Sequence, residues 1–96
     1  MTNLSCDDIR QTLSTGATLL DVRTTNEYGH GSLPNAKNIP LAILPVLAEE
    51  HFAKDDELLI YCQSGGRAIM AEKILAGMGY TNVVNIGGIM HYQHCH

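Results

Sequence analysis

Three short apolar runs limit what this chain can fold into: ATLLDV at residues 17–22, the end of DDELLIY at 55–61, and NVVNI at 82–86. Each is too short for a helix with one buried face and is bounded by turn-forming residues, so each is read as a strand. The stretches between them carry helical spacing. Ser5 with Asp8 three positions on is a helix start, Ile9 and Leu13 continue one apolar face, and Gly16 ends it. ILPVLAEEHF at 43–52 is a helix with Pro45 in its first turn. In AIMAEKILAGM at 68–78, Ala71, Leu75 and Met78 share a face, Ile74 lies beside them, and Gly79 is the stop. Strands that alternate with helices predict an α/β fold, a central, mostly parallel sheet with helices on both faces. Residues 23–40 contain Gly29, Gly31, Pro34 and Asn35 and are expected to be mostly loop, with one helical turn around TNEY and a minimal strand at NIP. Gly87 and Gly88 read as a turn, followed by a short helix and a flexible tail over 91–96.

Composition narrows the partners. With 96 residues, 45% of them hydrophobic, the chain suits one core and one domain over 1–96. Only 17% of residues are charged and the net charge is −4, so there is no basic field to hold nucleic acid or an anionic membrane surface. The apolar run LAILPVLA at 41–48 is interrupted by Pro45 and too short to span a bilayer. The first residues lack the charged and apolar regions of a signal peptide, which makes cytoplasm the expected compartment; an exported mature form would read the same. Cys6, Cys62 and Cys95 are an odd, widely spaced set without a C-x-x-C pair, which points to neither a disulfide framework nor a zinc knuckle.

The chemistry gathers in YCQSGGRA at 61–68. In an open parallel sheet, ligands bind at the carboxyl ends of the strands, and Cys62 stands at such an end. Gly65 and Gly66 allow backbone angles at which successive N–H groups converge on one point. The helix beginning near Arg67 adds its positive end, and Arg67 adds a cation. All three favour an anion at Cys62, whether its own thiolate or a bound substrate. The residue types alone leave an inert, buried cysteine in a tight turn as an equal reading.

The flanks decide between the two. Cys62, four residues and Arg67, preceded by LLDVR at 19–23 and EY at 27–28 and followed by GY and NVVNIGG, resemble the rhodanese-like domain family over nearly the whole chain. The resemblance implies a small rhodanese-like α/β domain whose loop cysteine carries sulfur as a persulfide. By position Cys62 is the nucleophile, and Gln63, Ser64, Gly65, Gly66 and Arg67 form the loop that binds the donor. The implied activity is sulfur transfer from thiosulfate or a related anionic donor to cyanide or a thiol, with a protein acceptor as a further partner and with no metal or organic cofactor. Related phosphatases and arsenate reductases use C-x5-R, so the C-x4-R count favours sulfur over a tetrahedral oxyanion. A persulfide carrier acting only with a partner protein is the alternative, and a small arsenate reductase or phosphatase the more distant one. The family's Gly-His-Ile-x-Gly-Ala segment stands here as GSLPNA, with Ser32 and Asn35 as departures, and Gln63 occupies a position often basic in thiosulfate-using members. Asp21 and Arg23 could line the pocket but are expected to be a buried pair fixing the strand end, and Glu27 could pair with an arginine near the site but is expected to be an exposed carboxylate beside Tyr28. Cys6 is expected to be structural, and His91, His94, Cys95 and His96 to form a solvated tail rather than a metal site.

Overall fold

Local chemistry starts the first helix, α1 (Cys6–Ser14). The Ser5 hydroxyl accepts from the Asp8 N–H at 3.0 Å while the Asp8 carboxylate accepts from the Ser5 N–H at 3.1 Å, the reciprocal cap read from the sequence. The computed structural model describes residues 4–92, and the chain continues through β1 (Thr18–Asp21), α2 (Thr25–Gly29), β2 (Lys37–Asn38), a 3₁₀ turn (Leu41–Ile43), α3 (Leu44–His51), β3 (Leu58–Cys62), α4 (Gly66–Gly77), β4 (Val83–Gly88) and a second 3₁₀ turn (Ile89–Tyr92).

The four strands form one sheet in the order β2-β1-β3-β4, and every neighbouring pair is parallel. All carboxyl ends therefore lie along one edge. Asp21 pairs with Tyr61 in the register and Cys62 with Gly88, which gathers the ends of three strands at one place. All five residues of β3 are buried, as expected of a central parallel strand. Their side chains alternate between the two faces. Leu58, Ile60 and Cys62 pack with Leu44 and Ala48 of α3 and with Ala68, Ala71 and Leu75 of α4. Leu59 and Tyr61 pack on the other face with Ile9 of α1, Leu33, Ile86 and Tyr92. Helices thus cover both faces. Among the described residues no helix is long and apolar enough to cross a membrane.

Several boundaries differ from the sequence reading, each for a local reason. The minimal strand is Lys37–Asn38 rather than NIP, because Pro40 has no N–H to pair. Ile39 and Leu41 still donate to Asp21 and Val22 carbonyls on either side of it, at 3.0 Å each. Helix α4 begins two residues early, at Gly66, since Gly65 turns the chain into it. Gly87 and Gly88 are not a turn but the end of β4. A bulge makes this possible: Asn85 pairs with Ile60 and Gly87 with Tyr61, so Ile86 is the extra residue. Asn85 Oδ1 accepts from the Gly87 N–H at 2.8 Å, and Gly87 takes a φ of 98°, which favours glycine. Tyr92 belongs to the core rather than to a tail, with its hydroxyl donating to the Ile86 carbonyl at 2.8 Å. His94, Cys95 and His96 lie outside the described residues, among which no group of three or more His, Cys, Asp or Glu is placed to hold a metal ion.

Candidate active site

Cys62 ends β3 as a buried, free thiol. Cys6, by contrast, is disulfide-bonded, which the isolated spacing of the cysteines did not suggest. Beyond Cys62 the chain reverses at once. Gly65 makes the reversal with a φ of 105° and ψ of −21°, left-handed angles that a side chain would strain. Its N–H comes to 2.9 Å from Cys62 Sγ, and the Ala68 N–H, in the first turn of α4, to 3.4 Å. The sulfur therefore sits at the amino end of a twelve-residue helix and accepts two backbone N–H groups. Gly66 plays a smaller part than its neighbour. A Cβ built there meets nothing within 4 Å and its φ is not left-handed, so Gly65 alone of the pair answers the backbone demand.

The loop rests on β4. A Cβ built on Gly88 would lie 2.6 Å from the Gln63 carbonyl oxygen and 2.9 Å from Ser64 Cα. Glycine at 88 is thus a condition of close approach between the strand and the loop. Asn85, itself buried, holds the bulge that delivers Gly88 to that place.

Two ion pairs flank the loop. Arg23 and Asp21 are buried together at the end of β1: Arg23 Nη2 donates to Asp21 Oδ2 at 2.7 Å, and the Arg23 N–H donates to Asp21 Oδ1 at 2.8 Å. Burial works against the Arg23 charge, but the hydrogen bonds and charge of Asp21 outweigh it and raise its pKa. The same guanidinium reaches the Gly31 carbonyl at 2.7 Å and Gln63 Oε1 at 3.2 Å, so the pair also steadies the first loop residue. This is the buried pair expected from the sequence, joined to the site.

Glu27 overturns its expectation. It is not a free surface carboxylate but the partner of Arg67, whose Nη1 and Nη2 donate to Oε1 and Oε2 at 2.6 and 2.9 Å. The Arg67 hydrogen bond, then the Thr24 N–H, hold the Glu27 carboxyl at about 2 against an ordinary 4.5. The Arg67 pKa is raised, first by its hydrogen bond to Glu27, with the charges of Glu27 and of the Cys62 sulfur also contributing. The cation expected to face the sulfur alone is therefore largely neutralised. A signal for Glu27 did exist in the sequence: Thr24-x-x-Glu27 is a capping box, and it forms, starting α2 so that the carboxylate projects toward the loop.

The structure thus gathers Cys62 at the end of β3, Gln63, Ser64 and Gly65 in the turn, and Gly66 and Arg67 in the first turn of α4 at the carboxyl edge of the sheet, with Gln63 and Arg67 partly buried and Ser64 and Gly66 exposed. Ala68 and Asn85 join them without having been singled out, and Glu27 and Gly88 join them in roles other than the exposed carboxylate and turn expected of them. A cleft of 490 Å³ opens beside Gln63.

Comparison with known proteins agrees with this architecture. Residues 5–95 match the family model described as the Rhodanese-like domain. A sulfurtransferase from Allochromatium vinosum is 38% identical over 73 residues, covering 75% of this chain and 67% of that protein. Human thiosulfate:glutathione sulfurtransferase is 31% identical over 99 residues, covering 88% of this chain and 86% of that protein. The solved structure of a human single-domain sulfurtransferase superposes with a TM-score of 0.81 at 28% identity, covering 100% of this chain and 98% of its own.

Proposed function

The chain belongs to the rhodanese-like domain family, and on that premise we propose that it is a sulfurtransferase that carries sulfur on Cys62 as a persulfide. One observation carries the reading: a free thiol at the end of β3 whose sulfur accepts the Gly65 and Ala68 N–H groups at the start of α4. The names of the relatives, sulfurtransferase and thiosulfate:glutathione sulfurtransferase, support it.

In the proposed cycle the Cys62 thiolate attacks the outer sulfur of thiosulfate. A bond forms from Sγ to that sulfur, the sulfur–sulfur bond of thiosulfate breaks, and sulfite leaves with the electron pair. The resulting persulfide is an anion, and the N–H groups of the loop that favour the thiolate favour it as well. A thiol or cyanide then takes the outer sulfur and returns the Cys62 thiolate. Gln63, Ser64, Gly65 and Gly66 supply the turn that surrounds the sulfur. Arg67, tied to Glu27, anchors the loop to α2 and leaves most of the attraction for an anionic donor to the backbone. The four-residue spacing keeps this ring too narrow for the oxygens of a tetrahedral oxyanion, which disfavours phosphatase and arsenate reductase chemistry.

Mass spectrometry of the protein after thiosulfate treatment tests the proposal. One added sulfur, located on the peptide bearing Cys62 and discharged by a thiol, is expected. Cys62→Ser abolishes the uptake, while Cys6→Ser and Cys95→Ser in reducing buffer keep most of the activity. A native protein that takes no sulfur from thiosulfate or mercaptopyruvate but hydrolyses aryl phosphate through Cys62 would refute it.

A further inference from the structure

A second cleft opens on the face of the sheet that carries the sulfur. Cys62, Val22 and Ala68 belong to one buried cluster on that face, and Leu41 packs against it. The Val22 N–H donates to the Tyr61 carbonyl at 3.1 Å, which carries the β1 ladder one residue past Asp21. Val22 therefore stands beside Cys62 at the strand spacing of about 5 Å. The cleft, of 300 Å³, is lined by Val22, Thr24, Pro40, Leu41, Ala42 and Arg67. Two of these adjoin the sulfur: Val22 neighbours Cys62 across the sheet, and Arg67 precedes Ala68, whose N–H lies 3.4 Å from Sγ.

This cleft is mostly apolar and continues into exposed apolar surface. Arg67 is the charged residue of its wall, and Glu27 already matches it. Ile43 follows Ala42 in the same 3₁₀ turn and is 43% exposed. Met70 lies one helical turn beyond Arg67 on α4 and is 50% exposed. The 3₁₀ turn and α4 are in contact, so these side chains border one strip that begins beside Cys62. A contiguous apolar strip without an unmatched charge marks a surface for a partner. Cys62 itself is only 1% exposed, so the attacking thiol must stand on a slender projection. A small thiol is slender but leaves Ile43 and Met70 uncovered. An extended peptide meets both demands: at about 3.3–3.6 Å per residue it lays the neighbours of its cysteine along the strip while the thiol points inward. The outer sulfur of a persulfide stands about 2 Å beyond Sγ, which shortens the reach.

We infer that this strip docks a protein acceptor whose cysteine lies in an extended, apolar segment. The inference rests on the reading of Cys62 as a persulfide carrier. The acceptor thiol ionises and its thiolate attacks the outer sulfur of the persulfide. A sulfur–sulfur bond forms on the acceptor, the bond to Cys62 Sγ breaks, and the electron pair returns to Sγ, where the Gly65 and Ala68 N–H groups receive it. The proton that the thiol released ends on the new hydropersulfide. Thiol and persulfide anion thus become hydropersulfide and thiolate, and nothing else is consumed.

The test is single-turnover discharge of preloaded persulfide by two capped peptides, Ala-Leu-Cys-Leu-Ala and Ala-Ser-Cys-Ser-Ala, at about pH 8, where such thiols are partly ionised. Partial burial of the leucines predicts roughly a 10-fold preference for the first peptide. The double variant Ile43→Ser with Met70→Ser is expected to cut that preference to about 2-fold or less while sulfur uptake from thiosulfate stays native. Met90→Ser is the control. Met90 is 65% exposed but belongs to the turn whose Ile89 and Tyr92 pack on the opposite face, so the preference stays. Equal rates for the two peptides overturn the inference, as does a preference that survives the double variant or falls equally in Met90→Ser. Two other occupants would overturn it as well. A native dimer in sedimentation that the double variant dissociates assigns the strip to a second copy of this chain. Faster discharge by butanethiol than by mercaptoethanol, with no preference between the peptides, assigns it to a small thiol. Loading separates the inference from its premise: if native protein takes up no sulfur, the persulfide reading fails and the docking site with it, whereas loaded protein that discharges to both peptides alike refutes the docking site alone.

Discussion

Replacing Gly88 with alanine tests the seat of the cysteine loop. The added Cβ would stand 2.6 Å from the Gln63 carbonyl oxygen and 2.9 Å from Ser64 Cα, roughly 0.8 Å inside ordinary contact at the oxygen. Both obstacles are backbone, so no side chain can swing aside and the loop must move as a body. Overpacking of this kind costs about 1–3 kcal/mol of stability. For a domain of this size that lowers Tm by about 4–8 °C per kcal/mol. The functional loss is expected to be larger. The Gly65 N–H sits 2.9 Å from Sγ, and misplacing reacting groups by about 1 Å costs on the order of 100-fold in rate. The assay is thiosulfate-dependent persulfide formation at 25 °C, below the melting transition, with circular dichroism melts on the same preparations. Gly66→Ala is the control: its Cβ meets nothing within 4 Å and its backbone is helical, so turnover stays native and stability rises by no more than about 1 kcal/mol. Native turnover and melting in Gly88→Ala would refute the reasoning, as would equal damage from Gly66→Ala.

Glu27→Gln removes the carboxylate that matches Arg67 and is expected to lower KM for thiosulfate several-fold; an unchanged or raised KM would mean the pair does not mute the cation. Its stability cost is at most about 1 kcal/mol, because both side chains are about one-third exposed. The pH dependence has a definite sign. The Glu27 carboxyl is held at about 2 against 4.5, so its contribution is complete above about pH 4.5 and fades as pH falls toward 2, where urea melts of native protein and Glu27→Gln converge. Asp21→Ala strands Arg23 as an unpaired, buried cation and is expected to cost about 3–5 kcal/mol by urea denaturation, with a loss under 1 kcal/mol counting against the burial argument.

Features set by neighbouring residues were legible in the sequence. The Ser5 cap with Asp8, the helical face of α4, the buried run of β3 and the Cys62-to-Arg67 loop each depend on residues only a few positions apart, and each forms where it was read. The flanking LLDVR and NVVNIGG segments carried the family, and with it the parallel sheet. The bond between Glu27 and Arg67 was legible only as the less favoured reading of Glu27, because forty residues separate the partners and their meeting depends on how α2 lies against the loop. Gly87 and Gly88 misled for a related reason. A glycine pair signals freedom of the backbone, but only the packing of β4 against β3 decides whether that freedom serves a turn or a bulge under a loop.

The amino-acid order alone determined where the main strands and helices lie, apart from the glycine end of β4 and the bounds of β2, and which thiol stands at a strand end, since these follow from short-range caps, periodicity and glycine placement. Tertiary structure decided how the site is charged and seated. It matched Arg67 with Glu27 and Arg23 with Asp21, pressed Gly88 against Gln63 and opened a cleft beside Gln63. Except for the Arg23–Asp21 pair, these contacts join residues distant along the chain, and they exist only once burial of both sheet faces has fixed where each segment lies.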